Sequence, residues 1–423
     1  MALNIFRSEI VFLLSRKSLK DPEFRKGRLG VYDFPLRGEN KPRIWFHAVS
    51  VGEVTGAVPT IFAVKKRMPE AELFLSTGTP QGLRSARAQL PEEVRVFPFP
   101  LDFPKYVGRA IATVRPDLFV AFETEFWPNF YRRLARGPIP ALLLNGRVSE
   151  SSARFYRMAS PLFQPVFKHF SKMAMHSAED LARAVEIGAP REKLMVLGSS
   201  KYDGLAGRAL PERAGHWKKV LGIAENTPVI IGGSLRGSEC VRLMQILEKL
   251  RKVSPGALGI FVPRHLRNIG PMVRWLTERR IPYDLLSNIE KPGGRRRTAP
   301  VVLVDKMGVL FELYSAGDLI FCGGTLEPVG GHNILEPAAW AKPVFYGPHL
   351  KKVLHEHRIL LSFGGSFPVV DSEDLLSLWI KWIANLPGLE GPGRRAREAL
   401  QSFGGIVDRQ VDLILESILK KRS

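Results

Sequence analysis

Ile44-Trp-Phe-His-Ala-Val-Ser-Val-Gly-Glu53 decides how this chain is read. Its first six residues are apolar apart from His47, the length of a buried strand, and Glu53–Lys66 continues with helical spacing. A strand that turns straight into a helix opens a βαβ unit, in which crossover helices join parallel strands. The same rhythm recurs in Leu73–Ser76, Arg95–Phe99, Leu118–Phe122, Ala141–Asn145, Met173–His176 and Met195–Gly198, with helices such as Pro80–Gln89 and Ala178–Ile187 between. It pauses over Tyr202–Trp217 and resumes with Val229–Gly232, Gly259–Val262, Val301–Val304, Leu319–Cys322 and Val344–Tyr346. The pattern predicts an α/β protein of two doubly wound, Rossmann-like domains facing each other across a cleft. Residues 21–205 form the first domain and 206–423 the second, which closes with helices over Leu375–Asn385 and Arg395–Leu419.

Composition narrows the function. The chain has 423 residues, 45% hydrophobic and 24% charged, the balance of a globular protein and not of a disordered one. Its formal charge of +21 favours anionic partners. The basic residues are spread along the chain and not gathered on one element with stacking aromatics, which argues against nucleic acid. Two cysteines, Cys240 and Cys322, allow neither a disulfide framework nor a Cys-rich metal site. His355-Glu-His357 reads as an exposed pair with its rings on different helix faces, so no metal is expected.

Residues 1–20 hold an apolar stretch, Leu3–Leu14, too short to span a bilayer. As a helix it shows Leu3, Phe6, Ile10, Leu13 and Leu14 on one side, beside Arg7, Arg16, Lys17 and Lys20. That pattern suits a segment lying on an anionic membrane surface, or an amphipathic helix packed on its own domain.

Ligands of open α/β sheets bind beyond the carboxyl ends of the strands, so the chemistry is sought there. Ser50-Val-Gly-Glu53 is both a capping box and a carboxylate at a helix head, where a general base belongs. Glu123-Thr-Glu125 offers either an acid/base pair or acids favoured by the start of a helix. Asn145-Gly-Arg147 supplies a cation or a surface turn. In the second half, Gly232-Gly-Ser-Leu-Arg236 and the run Cys322–Pro337, with four glycines, His332 and Asn333, present backbone N–H groups to an anion. A helix from about Leu335 would add its dipole, with Glu336 placed to accept from ribose hydroxyls. Neither the dinucleotide fingerprint nor a P-loop is present.

Together these segments resemble the Kdo transferases, which attach 3-deoxy-D-manno-octulosonic acid (Kdo) to lipid A precursors. The resemblance rests on His47–Glu53, Glu123–Asn129, Asn145–Ser149, Gly198–Asp203, Pro263–His265, Lys306–Gly308 and Val329–Pro337. It implies a GT-B fold, CMP-Kdo as donor, a phosphorylated lipid A precursor as acceptor, no cofactor, and inverting transfer at the cytoplasmic face of the inner membrane. By the same resemblance Glu53 is the catalytic base, and Glu123 and Lys201 stabilise the transition state. Pro263, Arg264, Met307, Gly308, Val309, Asn333, Ile334, Leu335 and Glu336 bind the nucleotide. Gly232–Arg236 lacks the Thr-His usual after Gly-Ser in this family, and Lys306 stands where Thr is usual. The rival readings are a GT-B enzyme using a UDP-sugar, which gives no reason for Glu53 in its motif, and a basic nucleic-acid-binding protein.

Overall fold

The computed structural model describes residues 21–34, 41–291 and 296–422. The expected membrane segment, residues 1–20, lies outside them. Among the described residues no helix is long and apolar enough to cross a membrane.

Strand β1 (Arg43–His47) shows why the sheet forms. Its five residues are all buried, and alternate side chains go to opposite faces. Trp45 packs among Phe97, Phe99, Phe119 and Phe130 on one face, while Ile44 and Phe46 join Val54, Ile61 and Val120 on the other. A strand buried on both faces reads as a continuous apolar run, as this one does. It is followed by β2 (Glu72–Thr77), β3 (Arg95–Pro98), β4 (Leu118–Phe122), β5 (Ala141–Gly146), β6 (Phe170–Met175) and β7 (Leu194–Val196). They form one seven-stranded sheet in the order β3-β2-β1-β4-β5-β6-β7, with every pair parallel.

A second seven-stranded parallel sheet comprises β8 (Val229–Leu235), β9 (Leu258–Pro263), β10 (Tyr283–Leu285), β11 (Val301–Leu303), β12 (Leu319–Cys322), β13 (Val344–Tyr346) and β14 (Ser366–Pro368). Its order is β10-β11-β9-β8-β12-β13-β14. The fold is thus two doubly wound α/β sheets, as the sequence predicts. The three-residue strands β10 and β14 escape the reading because neither carries an apolar run. The strand order reverses between β1 and β4 in the first sheet and between β8 and β12 in the second, and the loops beyond those reversals are the expected ligand sites.

The chain divides into two compact units: Gly204–Gly404, and the residues up to Asp203 together with those from Gly405 onward. This corrects the expectation that the closing helices both belong to the second half. The predicted helix Arg395–Leu419 is two helices, Glu390–Gln401 and Ile406–Arg422, separated at Gly404-Gly405, where Gly405 has φ 72°. The last helix returns to the first sheet because its apolar stripe, Val411, Ile414 and Ile418, is buried in the core formed by Phe46, Ile61 and Val120. Polar contacts fix its register. The Asp203 carboxylate accepts the Val407 N–H at 2.6 Å, Arg67 pairs with Asp412 at 2.7 Å, and Gln410 is wholly buried between Thr60 and Asn145.

Candidate active site

In the first unit, β1 ends at His47 and the helix Val51–Arg67 begins four residues later. Ser50 is the N-cap residue, yet its side chain accepts no backbone N–H of the helix, so the capping box is not made. Glu53 instead turns back on the helix start. Its Oε2 accepts the Val49 N–H at 2.7 Å and its Oε1 accepts the Ser50 hydroxyl at 3.0 Å. The residue as a whole is half-buried. Desolvation of its carboxyl raises the pKa well above the ordinary carboxylate range, and the negative charges of Glu125 and then Glu123 push it further. The Val49 and Ser50 hydrogen bonds oppose these effects without cancelling them.

The neighbouring strand supplies both of those carboxylates. β4 pairs with β1, and Glu123 leaves it with φ 61°, a left-handed conformation costly for a residue with a Cβ. Its N–H bonds to the Leu144 carbonyl at 2.9 Å, which holds that turn. Glu125 is 5% exposed, and its Oε2 accepts the Trp127 indole N–H at 2.8 Å and stands 3.5 Å from His47 Nε2. The His47 contact is not an ion pair. The ring is wholly buried, stacks on Phe99 at 3.9 Å, and desolvation brings its pKa down to about 3, so it is neutral at ordinary pH.

Lys201 follows β7, three strands from β4, yet its segment folds back toward Glu53. Ser200 is fully buried, and its hydroxyl donates to the Gly56 carbonyl, one turn after Glu53, at 2.6 Å. Ser200 also accepts from Asn145 Nδ2 at 2.8 Å and donates its N–H to Asn145 Oδ1 at 3.1 Å. Asn145, with φ 53°, is therefore an internal tie and not part of a surface turn. Lys201 itself is exposed. Glu53, Glu123 and Lys201 are thus brought to one end of one sheet, and Glu125, set beside Glu123 in sequence but given no role of its own, proves the larger influence on Glu53.

In the second unit, Arg264 follows β9 and is exposed; its N–H bonds to the Leu235 carbonyl at 2.9 Å, beside the end of β8. Pro263 is buried as the last residue of that strand. Met307 and Gly308 are exposed beyond the adjacent strand β11, with Val309 half-buried after them. Ile334 and Leu335 are wholly buried, backbone and side chain alike. Asn333 is folded on its own turn, its Oδ1 accepting the Leu335 N–H at 3.1 Å and its Nδ2 donating to Glu336 at 3.2 Å. The expected helix after Leu335 is a single turn, Glu336–Ala339, too short to carry a useful dipole.

A second expectation also needs correction. The backbone N–H groups of Arg236, Gly324, Thr325 and Leu326 are not open to a ligand, because the buried carboxylate of Glu239 accepts all four. What remains is a cluster of cationic side chains. Arg236 Nε donates to His332 Nε2 at 3.0 Å, and the His332 pKa is brought down to about 4 by burial and then by the charges of Arg236, Arg264 and Lys352. Gly324, at φ 73°, lets His332 close over the loop: a Cβ there would lie 2.8 Å from the ring. His355-Glu-His357 is not an exposed pair, since Glu356 is buried and His357 Nδ1 lies 2.9 Å from the Tyr346 hydroxyl. Glu239 could not be found from spacing, because three of its four backbone partners lie some 85 residues away.

The sequence model of a family described as 3-deoxy-D-manno-octulosonic-acid transferase matches residues 24–204. A Chlamydia pneumoniae protein named 3-deoxy-D-manno-octulosonic acid transferase is 31% identical over 357 residues, covering 82% of this chain and 80% of the relative. One of the same name from Haemophilus influenzae is 29% identical over 412 residues, covering 96% and 94%. Among solved structures, a Rickettsia africae glycosyltransferase superposes with a TM-score of 0.62 at 15% identity, covering 90% of this chain and 99% of that one. That likeness speaks for the fold, which is the GT-B pair of doubly wound sheets.

Proposed function

This chain belongs to the 3-deoxy-D-manno-octulosonic acid transferases, a family of glycosyltransferases, and from that premise we propose that it moves Kdo from CMP-Kdo to a phosphorylated lipid A precursor with inversion. The observation that carries the proposal is the state of Glu53. A sugar hydroxyl is a poor nucleophile and must lose its proton as it attacks the anomeric carbon. A carboxylate held by the Val49 N–H and the Ser50 hydroxyl, with its proton affinity raised by burial and by two like charges, is a stronger base than a solvated glutamate.

Each unit contributes its own chemistry. The first supplies the base, with Glu123 and Lys201 as charged neighbours for the developing transition state. The second supplies Arg264, Arg236 and Lys352 for the phosphate of the departing CMP, which gains charge as the glycosidic bond breaks. Pro263, Met307, Gly308, Val309 and Asn333–Glu336 border the nucleotide, with Glu336 accepting from the ribose. CMP leaves with a single phosphate, so the reaction needs no bridging metal.

The acceptor and the membrane meet the first unit in this reading. Within one layer of its helices, Pro104–Val114, Pro128–Arg136 and Ser160–His169 expose Lys105, Arg109, Arg132, Arg133, Arg136 and Lys168 and hold no acidic residue. Such a layer suits an anionic lipid surface, and residues 1–20 would add a second attachment at the cytoplasmic face. The test is incubation of the chain with CMP-Kdo and a tetra-acylated lipid A precursor, followed by mass analysis. A product heavier by one or more Kdo units is expected, and transfer from UDP-hexoses instead would overturn the donor assignment.

A further inference from the structure

Glu239 opens the helix Glu239–Leu250 after β8, and it is wholly shielded from solvent. Taking a carboxylate out of water is costly unless both its oxygens are hydrogen-bonded or charge-paired. Here the protein backbone supplies the hydrogen bonds. Oε2 accepts Arg236 at 2.8 Å and Gly324 at 2.6 Å, and Oε1 accepts Thr325 at 2.9 Å and Leu326 at 2.8 Å. The donors come from two loops. Arg236 leaves β8, Gly324–Leu326 leave β12, and these strands pair where the order of the sheet reverses. Gly323 makes the approach possible, since a Cβ there would lie 2.9 Å from Glu239 Oε2 and 2.7 Å from the Ser234 carbonyl.

Convergent backbone N–H groups at such a reversal form a nest that attracts an anion. In this chain the anion is built in. We infer that Glu239 is a positioning residue of the nucleotide side: its carboxylate occupies the backbone nest that would otherwise draw in the ligand's phosphate. It thereby fixes both loops so that Arg236 and His332 meet that phosphate with side chains. The inference rests on the reading of the second unit as the donor side. Arg236 is tied twice, by its N–H to Glu239 and by its Nε to His332, so loosening the first tie frees the cation that the second aims.

Glu239→Gln keeps the shape and removes the charge, turning an NH₂ group toward two of the four N–H donors. Two measurements on the full chain test it. Hydrogen exchange at the amides of residues 236 and 324–326 is expected to quicken. The affinity for CMP is expected to fall about tenfold or more, with the donor KM rising and the acceptor KM unchanged. Glu239→Asp, which keeps the charge on a shorter arm, is expected to recover part of both, and it carries the test if the Gln variant fails to fold. A purely structural role would lower the melting temperature and leave the donor KM of the folded fraction alone. The inference is overturned if the Gln variant binds CMP as the unaltered chain does, or if the amides at 324–326 stay equally protected. Should the unaltered chain itself fail to bind CMP, the donor reading falls, and the exchange measurement then decides the anchoring role alone.

Discussion

Beyond β1 and β4 three carboxylates crowd together, Glu53, Glu123 and Glu125, whereas at the corresponding end of the second sheet the charges of Arg236, Arg264 and Lys352 face His332 and the Glu239 carboxylate is buried. The two sheets share the reversal of strand order that opens a ligand site. They differ in what is done with charge. In the first unit burial and then like charges raise the proton affinity of one carboxyl, as the proposed base requires. In the second, burial and then like charges strip the proton from His332, which leaves a neutral ring beside the cations. One architecture thus supports two opposite electrostatic tasks, decided by which side chains follow the strands.

The most severe way to break the comparison is Glu53→Gln. Transfer is expected to fall by about 10²–10⁴-fold, the usual contribution of a general base, while CMP affinity is unchanged. Turnover retained in that variant would remove the chemical role of the acidic corner. Arg264→Ala attacks the opposite corner, and the CMP dissociation constant is expected to rise by roughly 10- to 100-fold, as for a lost charge-assisted hydrogen bond. Glu336→Ala, which removes a neutral ribose contact, should cost less, about 3- to 10-fold. Equal affinity in both variants would detach the nucleotide from this loop.

A finer test concerns proton affinity. In the proposed role Glu53 works only when ionised, so activity is expected to be lost as pH falls through its raised pKa. Glu125→Gln removes the larger of the two repelling charges, and the acid limb of the kcat/KM profile is expected to move to lower pH. An unmoved limb would show that the carboxylates do not sense one another. The smallest effect is a titration. Burial first, and then the cations that face it, bring the His332 pKa down to about 4, so bound CMP, bringing negative charge, should raise that value. NMR titration of the ring protons with and without CMP reads the shift, and its absence would place the phosphate away from Arg236 and His332.

Much of the fold was legible from periodicity. The runs from Ile44, Leu118, Leu319 and Val344 are buried on both faces, and such strands announce themselves as continuous apolar sequence. The same logic failed at Tyr283–Leu285 and Ser366–Pro368, which are only partly buried edge strands. Of the candidate site, the positions of Glu123 and Arg264 were legible because they directly follow strands, and that of Glu53 because it lies in the first turn of the helix after β1. The backbone donors beyond β8 and β12 were misread, since nothing local reveals that Glu239 already fills them. The role of Asn145 as an internal tie was not legible, because its partners Ser200 and Gln410 lie 55 and 265 residues away.

By itself the sequence determined the order of strands and helices, the places where the chain must turn, and which acids and bases stand at those turns, for these follow from the local spacing of apolar and small residues. Only the tertiary structure decided which unit the last helix joins, that His47 is neutral, that Glu53 holds its proton more tightly than a free glutamate, and that Glu239 is spent on the backbone. Desolvation and long-range hydrogen bonds set those outcomes, and both depend on neighbours that come together only when the chain has folded.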